Sequence, residues 1–224
     1  TTTDHHFSAT LSDRLRQSGV IAVLVLDDPV HAVPLAQALM AGGVSAMELT
    51  LRTPAAFEAL KRIRHEVPDM IAGVGTVLRP DQLIQAANFG ASFAVAPGTN
   101  RNVIKQAIDI GIPFAPGVCT PSDIEAAVEL NCHTLKFYPA EAMGGVGFLR
   151  TIANPYAHLG LQYIPLGGIN ASNAIDYLRE QCVHSIGGSW IAPRELIQRE
   201  GWSDITANAR QAAAIVSRVR REGL

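Results

Sequence analysis

Eight times along this chain a short apolar run closes on Gly, Pro, Thr or a similar turn residue and gives way to a new segment, most often one of helical period. The runs read as strands at Val20–Leu26, Ala46–Leu51, Ile71–Thr76, Phe93–Pro97, Pro113–Val118, Thr134–Tyr138, Gln162–Leu166 and Ser185–Gly188. Between them, helical patterns fall near Val30–Ala41, Pro54–Glu66, Pro80–Phe89, Arg101–Ile110, Pro121–Leu130, Val146–Ala153 and Ala171–Glu180. A helical tail over Trp202–Arg221 closes the chain, and Ser8–Ser18 reads as an extra helix ahead of the first strand. Strands joined by right-handed helical crossovers must lie parallel. Eight such units in 224 residues fit a closed TIM (β/α)8 barrel with an extra N-terminal helix, and an open doubly wound sheet is the alternative. No linker or low-complexity run divides residues 1–224, so a single barrel domain is expected, with 1–18 as its N-terminal extension and helix.

At 48% hydrophobic and 17% charged residues the chain is too apolar for disorder. Eighteen Lys and Arg against 20 Asp and Glu leave no extended basic footprint, which argues against nucleic acid as a partner. Every apolar stretch is interrupted before the roughly 20 residues that a transmembrane helix needs, so no membrane partner is expected. The opening residues lack the basic start and apolar core of a secretory signal, and the expected location is cytoplasmic. Cys119, Cys132 and Cys182 form no CxxC and read as reduced thiols. The histidines at 5, 6, 31, 65, 133, 158 and 184 show no ligand spacing, so neither a metal nor another cofactor is expected; His5 and His6 read as a floppy tail.

Lysine is scarce: only Lys61, Lys105 and Lys136 occur, beside fifteen arginines. Lys61 and Lys105 sit in helical patterns where a solvated ammonium is the ordinary outcome. Lys136 instead lies inside the strand Thr134-Leu135-Lys136-Phe137-Tyr138, where alternation groups it with Thr134 and Tyr138 and sets Leu135 and Phe137 on the other face. A desolvated amine of this kind suits nucleophilic attack on a carbonyl. A structural ion pair with a strand carboxylate such as Glu48 explains the position equally well.

A second stripe, Glu48, Thr50 and Arg52, shares one face of the second strand. Arg52, near the strand's C-terminal end, can fork onto a carboxylate while Glu48 moves protons. Glycine pairs follow the seventh and eighth strands, at Gly167-Gly168 and Gly187-Gly188. In barrels these exits are the usual phosphate pocket, because bare backbone N–H groups can approach an anion closely. Gly73-Val74-Gly75-Thr76 has no third Gly or acidic residue in register for a dinucleotide fingerprint.

Together, Glu48-Leu-Thr-Leu-Arg52-Thr, Gly73-Val-Gly-Thr-Val-Leu78, Ala96-Pro-Gly98, Leu135-Lys-Phe-Tyr-Pro-Ala-Glu141, Gly144-Gly145, Pro165-Leu-Gly-Gly-Ile169 and Ile186-Gly-Gly-Ser-Trp190 resemble the 2-keto-3-deoxy-6-phosphogluconate (KDPG) and 4-hydroxy-2-oxoglutarate (KHG) aldolase family. The resemblance runs from about Gly19 to the C-terminus. It implies a metal-free class I aldolase without cofactor, on a TIM barrel and usually a homotrimer, cleaving the phosphorylated keto acid to pyruvate and glyceraldehyde 3-phosphate. By matching motifs it implies Lys136 as the Schiff-base lysine, Glu48 as the acid and base working through a water, and Arg52 with Thr76 as the site for the pyruvate carboxylate. Pro97 and Phe137 would line the pocket, and Gly167, Gly168, Gly188 and Ser189 would bind phosphate. Alternation turns Phe137 away from Lys136, so a pocket role requires a twist or bulge at the strand's end. The sequence departs from the family at Leu166, where gluconate-specific members carry Thr. Loss of that hydroxyl would relax the choice between gluconate and galactonate epimers or favour the smaller 4-hydroxy-2-oxoglutarate. The competing reading is a phospho-sugar isomerase or epimerase on the same barrel, with Glu48 as its sole base.

Overall fold

A computed structural model describes residues 7–222, so the expected tail at His5 and His6 lies outside the described residues. Among the described residues nine strands form: β1 (Val20–Leu24), β2 (Ala46–Thr50), β3 (Ile71–Gly75), β4 (Ala94–Val95), β5 (Phe114–Ala115), β6 (Gly117–Val118), β7 (Thr134–Phe137), β8 (Gln162–Pro165) and β9 (Ile186–Gly188). The helices are α1 (Ala9–Ser18), α2 (Ala32–Ala41), α3 (Ala56–Glu66), α4 (Pro80–Asn88), α5 (Arg101–Ile110), α6 (Pro121–Val128), α7 (Gly145–Ala153), α8 (Ala174–Leu178), α9 (Arg194–Gln198) and α10 (Trp202–Arg221). None of them is long and apolar enough to cross a membrane. Helix α9 carries no periodic signal long enough to be foreseen, and the segment expected at Ala171–Glu180 shortens to the five residues of α8.

The strands do not close into the expected eight-stranded barrel. They form a six-stranded parallel sheet, ordered β5-β4-β3-β2-β1-β9, and a separate three-stranded parallel sheet, β6-β7-β8. In the larger sheet the order descends from β5 to β1, and β9 returns beside β1. One seam has a covalent cause. The expected strand Pro113–Val118 contains Pro116, which has no N–H to give to a ladder. Its two halves therefore divide between the sheets as β5 and β6, and the Pro116 carbonyl accepts from Lys136 N at 2.8 Å. At the other seam β8 meets the chain before β9 through the bridge Tyr163–Val183.

Two apolar clusters follow from strand alternation. The larger lies between strands and helices, where Leu24, Met47, Val74, Leu135 and Tyr163 meet faces of α2, α3 and α5. The smaller gathers Ile21, Ala46, Ile71 and Phe93 of the first sheet and its flanks with Ile164 and Leu166 of the second, so the two sheets face each other across it. Phe7 and Leu15 join this inner cluster, and α1 thus covers its N-terminal end. Ser8 caps α1 by accepting from Leu11 N, and Gly19 ends it in the left-handed region at φ 67°. With that end packed, the polar residues Glu48, Arg52, Thr76 and Lys136 collect around a cavity near the C-terminal ends of the strands.

Candidate active site

The inner face of β7 presents Lys136 and the inner face of β2 presents Glu48, which brings them together from sheets 88 residues apart in sequence. Lys136 Nζ lies 3.1 Å from Glu48 Oε1 and 3.5 Å from Oε2. The two side chains are 6% and 2% exposed, so the pair is desolvated. The carboxylate fits because its neighbour on β3 is Gly75, which leaves the volume that any side chain would fill. The Tyr138 ring adds a cation–π contact, with its centroid 5.6 Å from Lys136 Nζ.

Thr50 and Arg52 continue the stripe from Glu48. The Thr50 hydroxyl donates to the Leu24 carbonyl at 2.8 Å, and Arg52 Nε donates to Thr50 Oγ1 at 3.3 Å. Arg52 is therefore steered through one guanidinium nitrogen while the residue stays exposed. Thr76, just after β3, holds φ at 59°, an unfavourable value for a β-branched residue, of the kind that functional sites retain.

A cavity of about 240 Å³ opens here. Glu48, Arg52, Thr76, Pro97 and Lys136 line it, as do Leu166, Gly167, Gly168, Gly188 and Ser189. Phe137 does not. It stays in the β7 ladder opposite Val118 and Pro165, fully buried on the outer face, and stacks on Phe148 with centroids 6.2 Å apart. No bulge turns it inward, and Tyr138 holds the place on the cavity wall. Sequence reasoning also passed over Val23, Thr50, Ile169 and Gly187 as lining residues. Thr50 and Tyr138 were detectable from alternation, since each shares a face with a residue already singled out.

The far wall is apolar. Leu166, only 4% exposed, fills space that Gly187 leaves free: a Cβ on Gly187 would stand 2.5 Å from Leu166 Cδ2 and 3.2 Å from Val23 Cγ2. Beside it Gly167 and Gly168 turn with φ of 98° and 84°. Among the described residues no hydrogen bond takes the N–H of Gly167 or Gly168, and both residues line the cavity. Cys119 does not line this cavity, and burial and then the Asp123 carboxylate raise the pKa of its thiol.

This arrangement can form a carbonyl adduct at one end and hold an anion at the other. Comparison with known proteins points the same way. Residues 11–208 match the family model described as KDPG and KHG aldolase. The chain is 42% identical to the 2-dehydro-3-deoxy-phosphogluconate aldolase of Dickeya dadantii over 92% of its length and 96% of that protein's. It is 42% identical to the KHG/KDPG aldolase of Escherichia coli, covering 86% of this chain and 90% of that one. Among solved structures, the KDPG aldolase of Legionella pneumophila, captured with pyruvate as a covalent carbinolamine intermediate, superposes with a TM-score of 0.84 at 37% identity, covering 89% of this chain and 96% of that chain.

Proposed function

The chain belongs to the KDPG and KHG aldolase family, and from that premise we propose a division of labour among its cavity residues. The reaction is reversible class I aldol cleavage of 2-keto-3-deoxy-6-phosphogluconate to pyruvate and glyceraldehyde 3-phosphate, with 4-hydroxy-2-oxoglutarate as the smaller substrate. The observation that carries the assignment is the 3.1 Å contact between Lys136 Nζ and Glu48 Oε1 inside the cavity.

An ammonium cannot attack a ketone, but the contact gives its proton a direct path to Glu48. The freed amine adds to the C2 carbonyl, and loss of water from the carbinolamine leaves a protonated imine. That imine draws in the electron pair of the C3–C4 bond as Glu48 removes the C4 hydroxyl proton. The aldehyde departs, Glu48 returns the proton to C3 of the enamine, and water releases pyruvate from Lys136. Through this cycle Arg52 and Thr76 hold the keto acid's carboxylate, and Pro97 packs against it. The phosphate occupies the opposite end, on the N–H groups of Gly167 and Gly168 with Gly188 and Ser189.

Leu166 places a hydrocarbon wall where a hydroxyl would read the substrate's own hydroxyls. Weak discrimination between the gluconate and galactonate epimers follows. The assembly proposed is a homotrimer, and the exposed Leu78, Ile84, Ile108 and Ile110 offer apolar surface of the kind subunits bury.

Borohydride with pyruvate tests the chemistry directly. A stable adduct on Lys136, absent from Lys136→Ala, is expected. An unmodified Lys136 would return Glu48 to the role of sole base in an isomerase or epimerase.

A further inference from the structure

The glycine turn at the phosphate end is held from behind. The Leu166 carbonyl accepts from Ala140 N at 2.8 Å and the Gly167 carbonyl from Glu141 N at 2.9 Å. The Gly168 carbonyl accepts from the side-chain amides of Asn170 and Asn173, at 3.3 and 3.2 Å. All three carbonyls are thus occupied, which leaves the N–H groups of the two glycines as the turn's available polar atoms. The side chain of Glu141 packs directly on Gly168, where an added Cβ would come within 2.6 Å of Glu141 Cβ and 2.8 Å of its Cγ.

The Glu141 carboxylate does not hang free. The hydroxyl of Tyr177, a residue of α8 only 1% exposed, donates to Glu141 Oε1 at 2.5 Å. Gly145 closes over this contact, since a Cβ there would stand 3.2 Å from Oε1 and 3.6 Å from the phenol oxygen. Glu141 is five residues beyond the reactive lysine and abuts the anion seat, so its charge is a hazard. Loose, it would compete for the same N–H groups and repel a phosphate dianion.

We propose that Tyr177 and Glu141 are a positioning pair for the phosphate subsite: the phenol fastens the carboxylate against the back of Gly168, which keeps the left-handed turn in shape and the negative charge out of the seat. The inference rests on the reading that Gly167 and Gly168 receive the substrate's phosphate. Neither residue touches the reacting atoms. Their effect should therefore appear in the affinity for phosphorylated substrate and not in imine chemistry.

Tyr177→Phe removes one oxygen and keeps the buried ring. The KM for 2-keto-3-deoxy-6-phosphogluconate is expected to rise about tenfold, the loss of roughly one charge-assisted hydrogen bond's worth of anion binding. The pyruvate concentration that half-saturates borohydride trapping, which involves no phosphate, is expected to stay as in the parent enzyme. Adding Glu141→Gln to Tyr177→Phe removes the charge and should recover most of the lost affinity. If Tyr177→Phe does not fold, Glu141→Ala leaves the ring in place, and by removing the prop under Gly168 should raise the same KM severalfold with pyruvate unaffected. The pair is overturned if KM and the pyruvate requirement move together, if neither moves, or if the neutral amide brings no recovery. Absence of any pyruvate adduct in the parent enzyme would instead overturn the aldolase reading, and this inference with it.

Discussion

A side chain on Gly75 would occupy the place of the Glu48 carboxylate, whose Oε1, Cδ and Cγ are the three atoms nearest to where its Cβ would stand. The carboxylate proposed as acid and base thus owes its position to a hydrogen atom on the neighbouring strand. Gly75→Ala should push the carboxylate away from Lys136 and cut kcat by about 10²–10⁴, the range for loss of a positioned acid–base group. Overpacking should also cost roughly 1–3 kcal/mol of stability. Steady-state assays of pyruvate release beside thermal melts would check both, and a kcat near that of the parent would refute the steric argument.

Glu48→Gln keeps the shape and removes the base. Trapping of pyruvate on Lys136 should persist at reduced rate, while aldol cleavage slows by about 10²–10⁴. Single-turnover measurements separate the two steps. Equal rates for the variant and the parent enzyme would exclude Glu48 as the proton carrier.

Leu166→Thr introduces a hydroxyl on the cavity wall opposite Gly187. One hydrogen bond to a substrate hydroxyl, roughly 1 kcal/mol, should shift the gluconate-to-galactonate ratio of kcat/KM about fivefold toward gluconate. An unchanged ratio would remove position 166 as the selector.

His184 is expected to contribute to sensitivity toward acid. It is 2% exposed, with Nε2 2.9 Å from Ser12 Oγ on α1 and Nδ1 3.2 Å from Ser185 Oγ. Burial, and secondarily the positive charge of Arg16, push its pKa down from 6.5 to about 4. The folded state therefore binds this proton less readily than the unfolded chain. The histidine costs nothing above pH 6.5, and stability falls as the pH drops from there through about 4, by about 3 kcal/mol in all. Denaturant unfolding of His184→Gln against the parent enzyme across that window should show the difference disappear. Parallel curves would contradict the assignment.

Local pattern made much of this molecule legible before any coordinates. Period two separated Lys136 and Tyr138 from Phe137, and the same alternation put Glu48, Thr50 and Arg52 on one face; the structure follows both. The family resemblance placed Phe137 in the pocket, whereas the backbone keeps it outside against Phe148. Eight repeated units point to a closed barrel, but closure needs a continuous ladder, and Pro116 divides the fifth expected strand between two sheets. The clasp of Tyr177 on Glu141 left no trace in the sequence, because residues 36 apart with no shared period meet only once β8 and α8 are placed.

Lys136 sits on the three-stranded sheet and Glu48 on the six-stranded one, and neither sheet alone assembles the reactive couple. With the roles proposed for these two residues, turnover reports docking of the two halves: a chain with only one of them organised holds an idle amine or an idle acid. During synthesis β2 is made long before β7, so the Lys136–Glu48 couple can form only after the later sheet has been added and seated.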